Sequence, residues 1–250
     1  MEKEFKLDSM RQDQVDSLLK NLPPEVEQSV ELPSKGKFYK LEKPVVVRPM
    51  TFDDEKAIIS SGKGQVDALA LLLSRCVKNV NTAELLTMDR MFLFIKIREL
   101  SYGPDYEVAI TCPNCGIAAE VTLDIRQFPV NSVPDDLEDP REVMLPVIGK
   151  KVKLRFPRAK DEIYFKNTDI LSENLWRFVD SIEGISDKTV IAEVISMLQK
   201  GNALGDIHCI LREINRPDFG VETKFEFSCG ECLNNSVMEV PIGEDFFIRK

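Results

Sequence analysis

The chain has 250 residues, of which 43% are apolar, 30% charged and 8% aromatic, with a formal charge of -9 and a pI near 4.9. That length supports a substantial buried core, and the acidic balance argues against a nucleic-acid binder, because phosphate contacts need clustered Lys or Arg. No stretch approaches the ~20 apolar residues of a membrane span, and MEKEFKLDSMRQDQVDSLLK lacks the apolar core of a signal peptide, so a cytosolic chain is expected.

Residues 1–31 read as an N-terminal arm. Val15, Leu18, Leu19 and Leu22 recur at helical spacing in a polar stretch that ends at Pro23 and Pro24. A stripe that narrow either folds back on its own domain or docks on another subunit as an amphipathic helix. Residues 32–126 read as a first α+β unit. LPSKGKFY, Leu32 to Tyr39, is a turn leading to a strand at Val45 to Arg48, and its Gly36 lacks the glycine spacing of a phosphate loop. Thr51 and Asp54 have capping-box spacing at the start of a helix carrying Glu55, Ile58 and Ile59. Ala68 to Val77 and Met88 to Leu100 predict buried helices. Glu107 to Thr111 and Glu120 to Ile125 predict strands on either side of CPNC, with Gly116 free to take a left-handed turn.

Residues 127–150 hold Pro129, Pro134, Pro140 and the run DDLEDPRE, and read as an acidic linker with no regular core element. Residues 151–250 read as a second α+β unit. Its expected elements are a strand at Lys151 to Phe156, a helical stretch at Asp161 to Thr168, a helix at Leu171 to Ile182 carrying Trp176, and helices at Lys188 to Lys200 and Asp206 to Ile214. CGEC follows, and Phe246, Phe247 and Ile248 either close the core or form a second docking site.

Cys112, Cys115, Cys229 and Cys232 form two Cys-x-x-Cys pairs. Thiolates are soft ligands, and two such pairs complete a tetrahedral four-cysteine zinc site. A site of that kind leaves no position open for water, so its zinc is structural, one ion per chain. Reducing conditions favour metal over disulfides as the use of paired cysteines. Cys76 and Cys209 have no partner at ligand spacing and read as small buried hydrophobes. The pairs lie much further apart than the ~15–20 residues of an ordinary ribbon, and an internal duplication accounts for that. Tyr102 to Cys115 aligns without gaps on Phe219 to Cys232, matching Gly103 with Gly220 and Asp89 with Asp206 upstream. Val45, Arg48, Asp54 and Glu55 align with Val152, Arg155, Asp161 and Glu162 in an earlier register. The expected fold is therefore α+β, with duplicated helix-strand units joined by a zinc-ribbon-like site.

The LPSKGKFY turn, the VVVRPMTFDDEK segment, the helix leading to SYGPDY and the CPNCG knuckle resemble the baseplate hub and hub-assembly proteins of T-even-type contractile-tailed bacteriophages. The resemblance runs from Leu32 to about Ile125 and is carried by Pro33, Ser34, Gly36, Tyr39, Arg48, Asp54, Glu55, Tyr102, Gly103, Cys112 and Cys115. It implies a non-enzymatic protein that binds other tail proteins, either in the virion baseplate or in the host cytoplasm during tail assembly, without nucleic acid, membrane or small-molecule substrate. Two other readings compete with it. One is a zinc-ribbon regulator binding nucleic acid, whose basic residues would be Lys35, Lys37, Lys150, Lys151, Lys153 and Arg155. The other is a redox protein, for which CPNC should open a helix and does not. His208 is the only histidine, set in an apolar stretch beside Cys209, and reads as structural rather than as a catalytic base.

Overall fold

Each half of the chain begins with a three-stranded antiparallel sheet. The computed structural model describes residues 9–20, 26–60, 65–215 and 219–248; Leu22 of the expected docking stripe lies outside them. After α1 (Ser9–Leu18), the strands β1 (Gln28–Val30) and β2 (Val45–Val47) pair, and β3 (Val77–Lys78) adds to β2 beyond two helices, α2 (Phe52–Ser60) and α3 (Gln65–Cys76). The long helix α4 (Thr87–Tyr102) follows, and then the hairpin β4 (Asp105–Thr111) and β5 (Ala118–Asp124). β1 falls inside the expected arm: Val30 packs on the core with Leu32, so the sheet begins earlier than the polarity of residues 1–31 suggests.

The second half also runs from a three-stranded sheet through helices to a hairpin, with one α-helix between its second and third sheet strands where the first half has two. β6 (Val130–Asn131) leads to β7 (Arg141–Met144), β8 (Lys151–Leu154), α5 (Thr168–Asn174) and β9 (Val179–Ile182), with β7, β8 and β9 forming the sheet. Helices α6 (Lys188–Lys200) and α7 (Leu204–Ile214) come next, then β10 (Gly220–Val221) and the hairpin β11 (Lys224–Ser228) and β12 (Asn235–Glu239). Two expectations change here. Residues 127–150 are not irregular throughout, since they supply β6, β7 and the fully buried Leu145; Asp135, Asp136, Glu138 and Glu142 of the acidic run face solvent, whereas Asp139 is drawn inside by the Phe156 amide at 2.9 Å and by the Arg158 guanidinium. The single helix expected over Leu171 to Ile182 stops early. Val179, Ser181 and Ile182 are buried, and their pairing with β8 makes the end of that segment a strand.

The sheets, helices and hairpins bury two main cores. One gathers α3, α4, β2 and β4, and also takes Phe227, Val240, Phe246 and Phe247 from the end of the chain. The other packs Leu145, Val152 and Leu154 against Phe178, Ile191, Ile195, Ile207 and Ile210. Between them Leu86, Val133, Phe156 and Phe219 form a small cluster, with the Phe38 ring centred 6.3 Å from both Phe156 and Phe219. Arg90 of α4 pairs with Glu162 across the same junction.

The sheets carry matching polar locks. Arg48 Nη1 donates to Asp54 Oδ2 at 2.7 Å, and Arg155 Nη1 donates to Asp161 Oδ2 at 2.6 Å. The same carboxylates accept the amides of Thr51 at 2.9 Å and Arg158 at 2.8 Å, which caps the helical turn that follows. Burial pushes the Asp54 carboxyl up, but the hydrogen bonds from Arg48 and Thr51 outweigh it and hold the group well below the usual carboxylate range. A carboxyl depressed in the fold contributes its stability above the unfolded pKa and loses it as pH falls through the folded one. Asp54→Asn is therefore expected to cost about 1.5–3 kcal/mol at pH 7 and to flatten the acid limb of the stability curve in urea unfolding followed from pH 7 to pH 3. A variant with the parent's stability at every pH would show that this lock contributes nothing.

Candidate metal centre

The strand period places the cysteines. Along β4 the buried side chains are Tyr106, Val108 and Ile110, and the alternation carries on to Cys112. On β11 Phe227 is buried and Cys229 continues the same face. Each strand then turns back through its pair. Gly116 N donates to Cys112 O at 2.9 Å and Leu233 N to Cys229 O at 3.0 Å, while Cys112 N and Cys229 N reach Ile117 O and Asn234 O. The residue after the second cysteine is left-handed in both knuckles, Gly116 at φ 73° and Leu233 at φ 56°.

These turns bring together the sulfurs of the two hairpins. All four Sγ atoms lie within 4.8 Å of one another, with Cys112 to Cys232 and Cys115 to Cys229 each at 3.7 Å. A regular tetrahedron with metal–sulfur bonds of about 2.3 Å has edges of about 3.8 Å, so the donor set fits zinc in size and in chemistry. The cysteines are free thiols, and their spacing is far beyond the ~2.05 Å of a disulfide. Cys112 and Cys229 are buried, Cys232 is half-buried and Cys115 exposed, so the cluster is anchored from the core side.

The electrostatics favour thiolates on both sides. The Cys115 amide, backed by that of Asn114, draws the Cys112 thiol below its ordinary value. The Asn114 side chain, 3.5 Å from Cys232 Sγ, together with the Asn234 amide lowers Cys232 to about 6. Cys115 keeps the proton. The Ile117 amide favours its thiolate, but burial and the three neighbouring sulfurs push it up to about 12. A divalent cation inverts that last preference, because it stabilises the charged sulfur directly.

The other singled-out residues lie elsewhere. Cys76 and Cys209 are buried apart from the cluster, and burial pushes the Cys76 thiol up to about 12. His208 is exposed on α7. On α1, Leu18 is 83% exposed, Leu19 is exposed and Val15 half-buried. CPNC lies in a hairpin, away from the helix N-terminus that activates redox pairs. Phe246 and Phe247 are core residues.

Asp89 and Asp206, aligned with each other in the sequence, have an anchoring role that the alignment does not reveal. Asp89 is fully buried and accepts from Ser34 N at 2.9 Å and from Tyr39 Oη at 2.6 Å, pinning the LPSKGKFY turn to α4. Asp206, also fully buried, accepts from Val147 N at 2.6 Å and Ile148 N at 3.2 Å, pinning a second turn to α7. The signal was present, since LPSKGK at Leu32 to Lys37 and LPVIGK at Leu145 to Lys150 differ at two positions only.

The arrangement defines a class, an α+β scaffold with one closed tetrathiol cluster and no other grouping of metal-ligand side chains among the described residues, none of whose helices is long and apolar enough to cross a membrane. Within that class the chain matches the family model described as T4 bacteriophage base plate protein over residues 23–248, and it belongs to that family. The match spans both halves and begins after α1. No curated protein and no solved structure matches the chain. The protein is a structural component of the phage tail baseplate.

Proposed function

We propose that this baseplate protein acts at the hub, as a structural or assembly component that works through protein contacts and not through catalysis, with one zinc ion held by Cys112, Cys115, Cys229 and Cys232. The observation that carries the metal is the tetrathiol, whose 3.7 Å sulfur separations match a zinc tetrahedron. The zinc is a staple. It ties the hairpin of residues 105–124 to that of residues 224–239, so the two halves are locked in the relation that presents their outer surfaces to neighbouring subunits. Duplication of one α+β unit supports this reading, since the Arg48–Asp54 and Arg155–Asp161 locks, the two LPxxGK turns and the two knuckles recur in one order. Helix α6 occupies the place of the extra residues in the second copy.

Elemental analysis with native mass spectrometry tests the zinc. One ion per monomeric chain is expected; two ions, or one bridging two chains, would mean that each knuckle pairs with another molecule. Purified hub and peripheral baseplate proteins of the same phage test the location, and binding confined to peripheral ones would exclude the hub. Tight, salt-sensitive retention of duplex DNA would favour the nucleic-acid regulator instead.

The arm is proposed as a docking helix through Val15, Leu18, Leu19 and Leu22. Its described leucines face solvent and it precedes the span shared with the family. Deleting residues 1–25, which leaves β1 intact, is expected to weaken binding to the hub partner at least tenfold in a titration. Unchanged affinity would mean that the arm has no docking role.

A further inference from the structure

A cleft of about 660 Å³ opens on the second half, between residues 155–164 and 176–188. That volume lies within the ~300–1,000 Å³ of ordinary ligand sites. Four cations and two carboxylates line it, so its lining is positive on a chain that carries -9 overall. Two of the cations are matched within the chain. Arg155 Nη1 donates to Asp161 Oδ2 at 2.6 Å, and Lys160 pairs with Glu84 at 2.5 Å.

The other two cations have no such match. The Arg177 guanidinium lies 4.8 Å from the centre of the Tyr164 ring and 4.5 Å from that of Trp176, and its Nε donates to Asn174 Oδ1 at 2.8 Å. Lys188 Nζ donates to Val179 O at 2.7 Å. Among the described residues no carboxylate stands within ion-pair distance of either, although Asp180 lines the same cleft. Arg48, Arg90, Arg141, Arg155 and Arg158 are half-buried or buried like Arg177, and each of them meets a carboxylate of this chain. A guanidinium already held by two rings and a hydrogen bond loses little further freedom when a carboxylate arrives, and its planar fork matches both oxygens of that group. Trp, Tyr and Arg side by side are also the residues on which binding energy concentrates.

We propose that this cleft binds an acidic segment of another tail protein, with a carboxylate seated on Arg177 and Lys188 and a neighbouring apolar side chain laid against Trp176. Charge selects the occupant. A phosphate backbone needs a track of free cations, whereas Asp161 and Asp180 interrupt this lining and Glu84 holds Lys160. A second copy of this chain is a poor occupant. Its exposed acidic residues at 135–138 are tied to their own fold, since Lys37 Nζ donates to Asp135 O at 2.6 Å and Leu137 packs on the cluster of Phe156 and Phe219. Two chains of charge -9 also repel each other. The inference rests on the proposed action through protein contacts and adds the place and the chemistry of one such contact.

Trp176 is the only tryptophan of the chain, so its fluorescence reports this cleft alone. Titrating the full-length protein with a peptide of alternating Glu and Leu is expected to change that emission saturably. Arg177→Gln is expected to weaken the peptide at least tenfold, and the matching peptide of Gln and Leu to give no response. Arg177→Glu with Lys188→Glu is expected to lower the yield of complete tails at least tenfold in complementation of a null phage. Lys188→Glu alone, at an exposed position, is expected to give an intermediate loss at the parent's melting temperature, which separates lost binding from lost folding. A photo-crosslinking residue in place of Tyr164 is expected to capture a different tail protein through a segment containing Asp or Glu. Wild-type tail yield from the double variant, an adduct solely between two copies of this chain, no response to the Glu and Leu peptide, or an equal response to a single-stranded oligonucleotide overturns the proposal. The null phage separates the two levels: tails that assemble without the protein would refute the assembly reading itself, whereas a defective null with a fully active double variant refutes only this cleft.

Discussion

Cys112→Ser and Cys229→Ser are each expected to yield protein without zinc and with both hairpins unfolded. Each removes one ligand from a four-thiolate set, and each removes the buried member of its pair. Structural zinc contributes an apparent ~10–16 kcal/mol in small peptides, comparable with the ~5–15 kcal/mol that holds a whole domain together. Little beyond the metal joins the hairpins at their knuckles, where the contacts between the pairs are the sulfurs themselves and the Asn114 side chain on Cys232. The core around Leu145, Phe178 and Ile210 takes no residue from either hairpin. Amide exchange should therefore lose protection at β4, β5, β11 and β12 while β7 to β9 keep theirs. Cys209→Ala is the control, since that cysteine lies outside the cluster, and it should retain full metal content. If Cys112→Ser or Cys229→Ser kept one equivalent of zinc, the shared site would be wrong.

The four cysteines that cluster were legible in the sequence because Cys-x-x-Cys is a local pattern and because the alternation of β4 predicts which way Cys112 points. The helices around Leu72, Phe94 and Ile195 were legible for a similar reason, as apolar periodicity reports burial directly. What escaped depends on partners far along the chain. β1 has three residues, and only pairing with β2 and the packing of Val30 make it a strand. β9 looks like the end of the Trp176 helix until β8 lies beside it. The run DDLEDPRE reads as an acidic linker, yet Asp139 and Arg141 leave water because the Phe156 amide and the Arg158 guanidinium donate to the first and Glu213 pairs with the second at 2.9 Å. Asp89 and Asp206 look like ordinary acids in the first turns of helices, where the dipole favours them; their burial beneath a turn is a tertiary fact. The likeness of LPSKGK and LPVIGK points to them, because two turns of like sequence call for like anchors.

Phe247→Ala is expected to destabilise the protein by about 3–5 kcal/mol, the usual cost of emptying a buried aromatic site. Phe246 and Phe247 are almost completely buried in the core of the opposite half: Phe247 packs at 5.5 Å on Phe94 of α4 and Phe246 at 4.8 Å on Tyr106 of β4. The Tyr102 hydroxyl donates to Phe247 O at 3.0 Å, and the Arg98 guanidinium lies 5.5 Å from the Phe246 ring. The short turn Glu244–Phe247 thus ties the far end of the second hairpin to α4 and β4, as the proposed zinc site would tie its near end. Two ties at opposite ends of one hairpin must be coupled. Phe247→Ala releases one end, so the Cys229 pair loses some of its preorganisation, and the variant should give up zinc to a chelator at lower concentration than the parent does, in addition to unfolding at lower urea. The rings of Phe246 and Phe247 are in contact at 5.2 Å, so a double substitution should cost a different amount from the two single costs added together. Had the aromatic end served as a docking tag, truncating Phe247 would leave the melting point and the chelator threshold unchanged and weaken only partner binding; that pattern would overturn its role as the second tie.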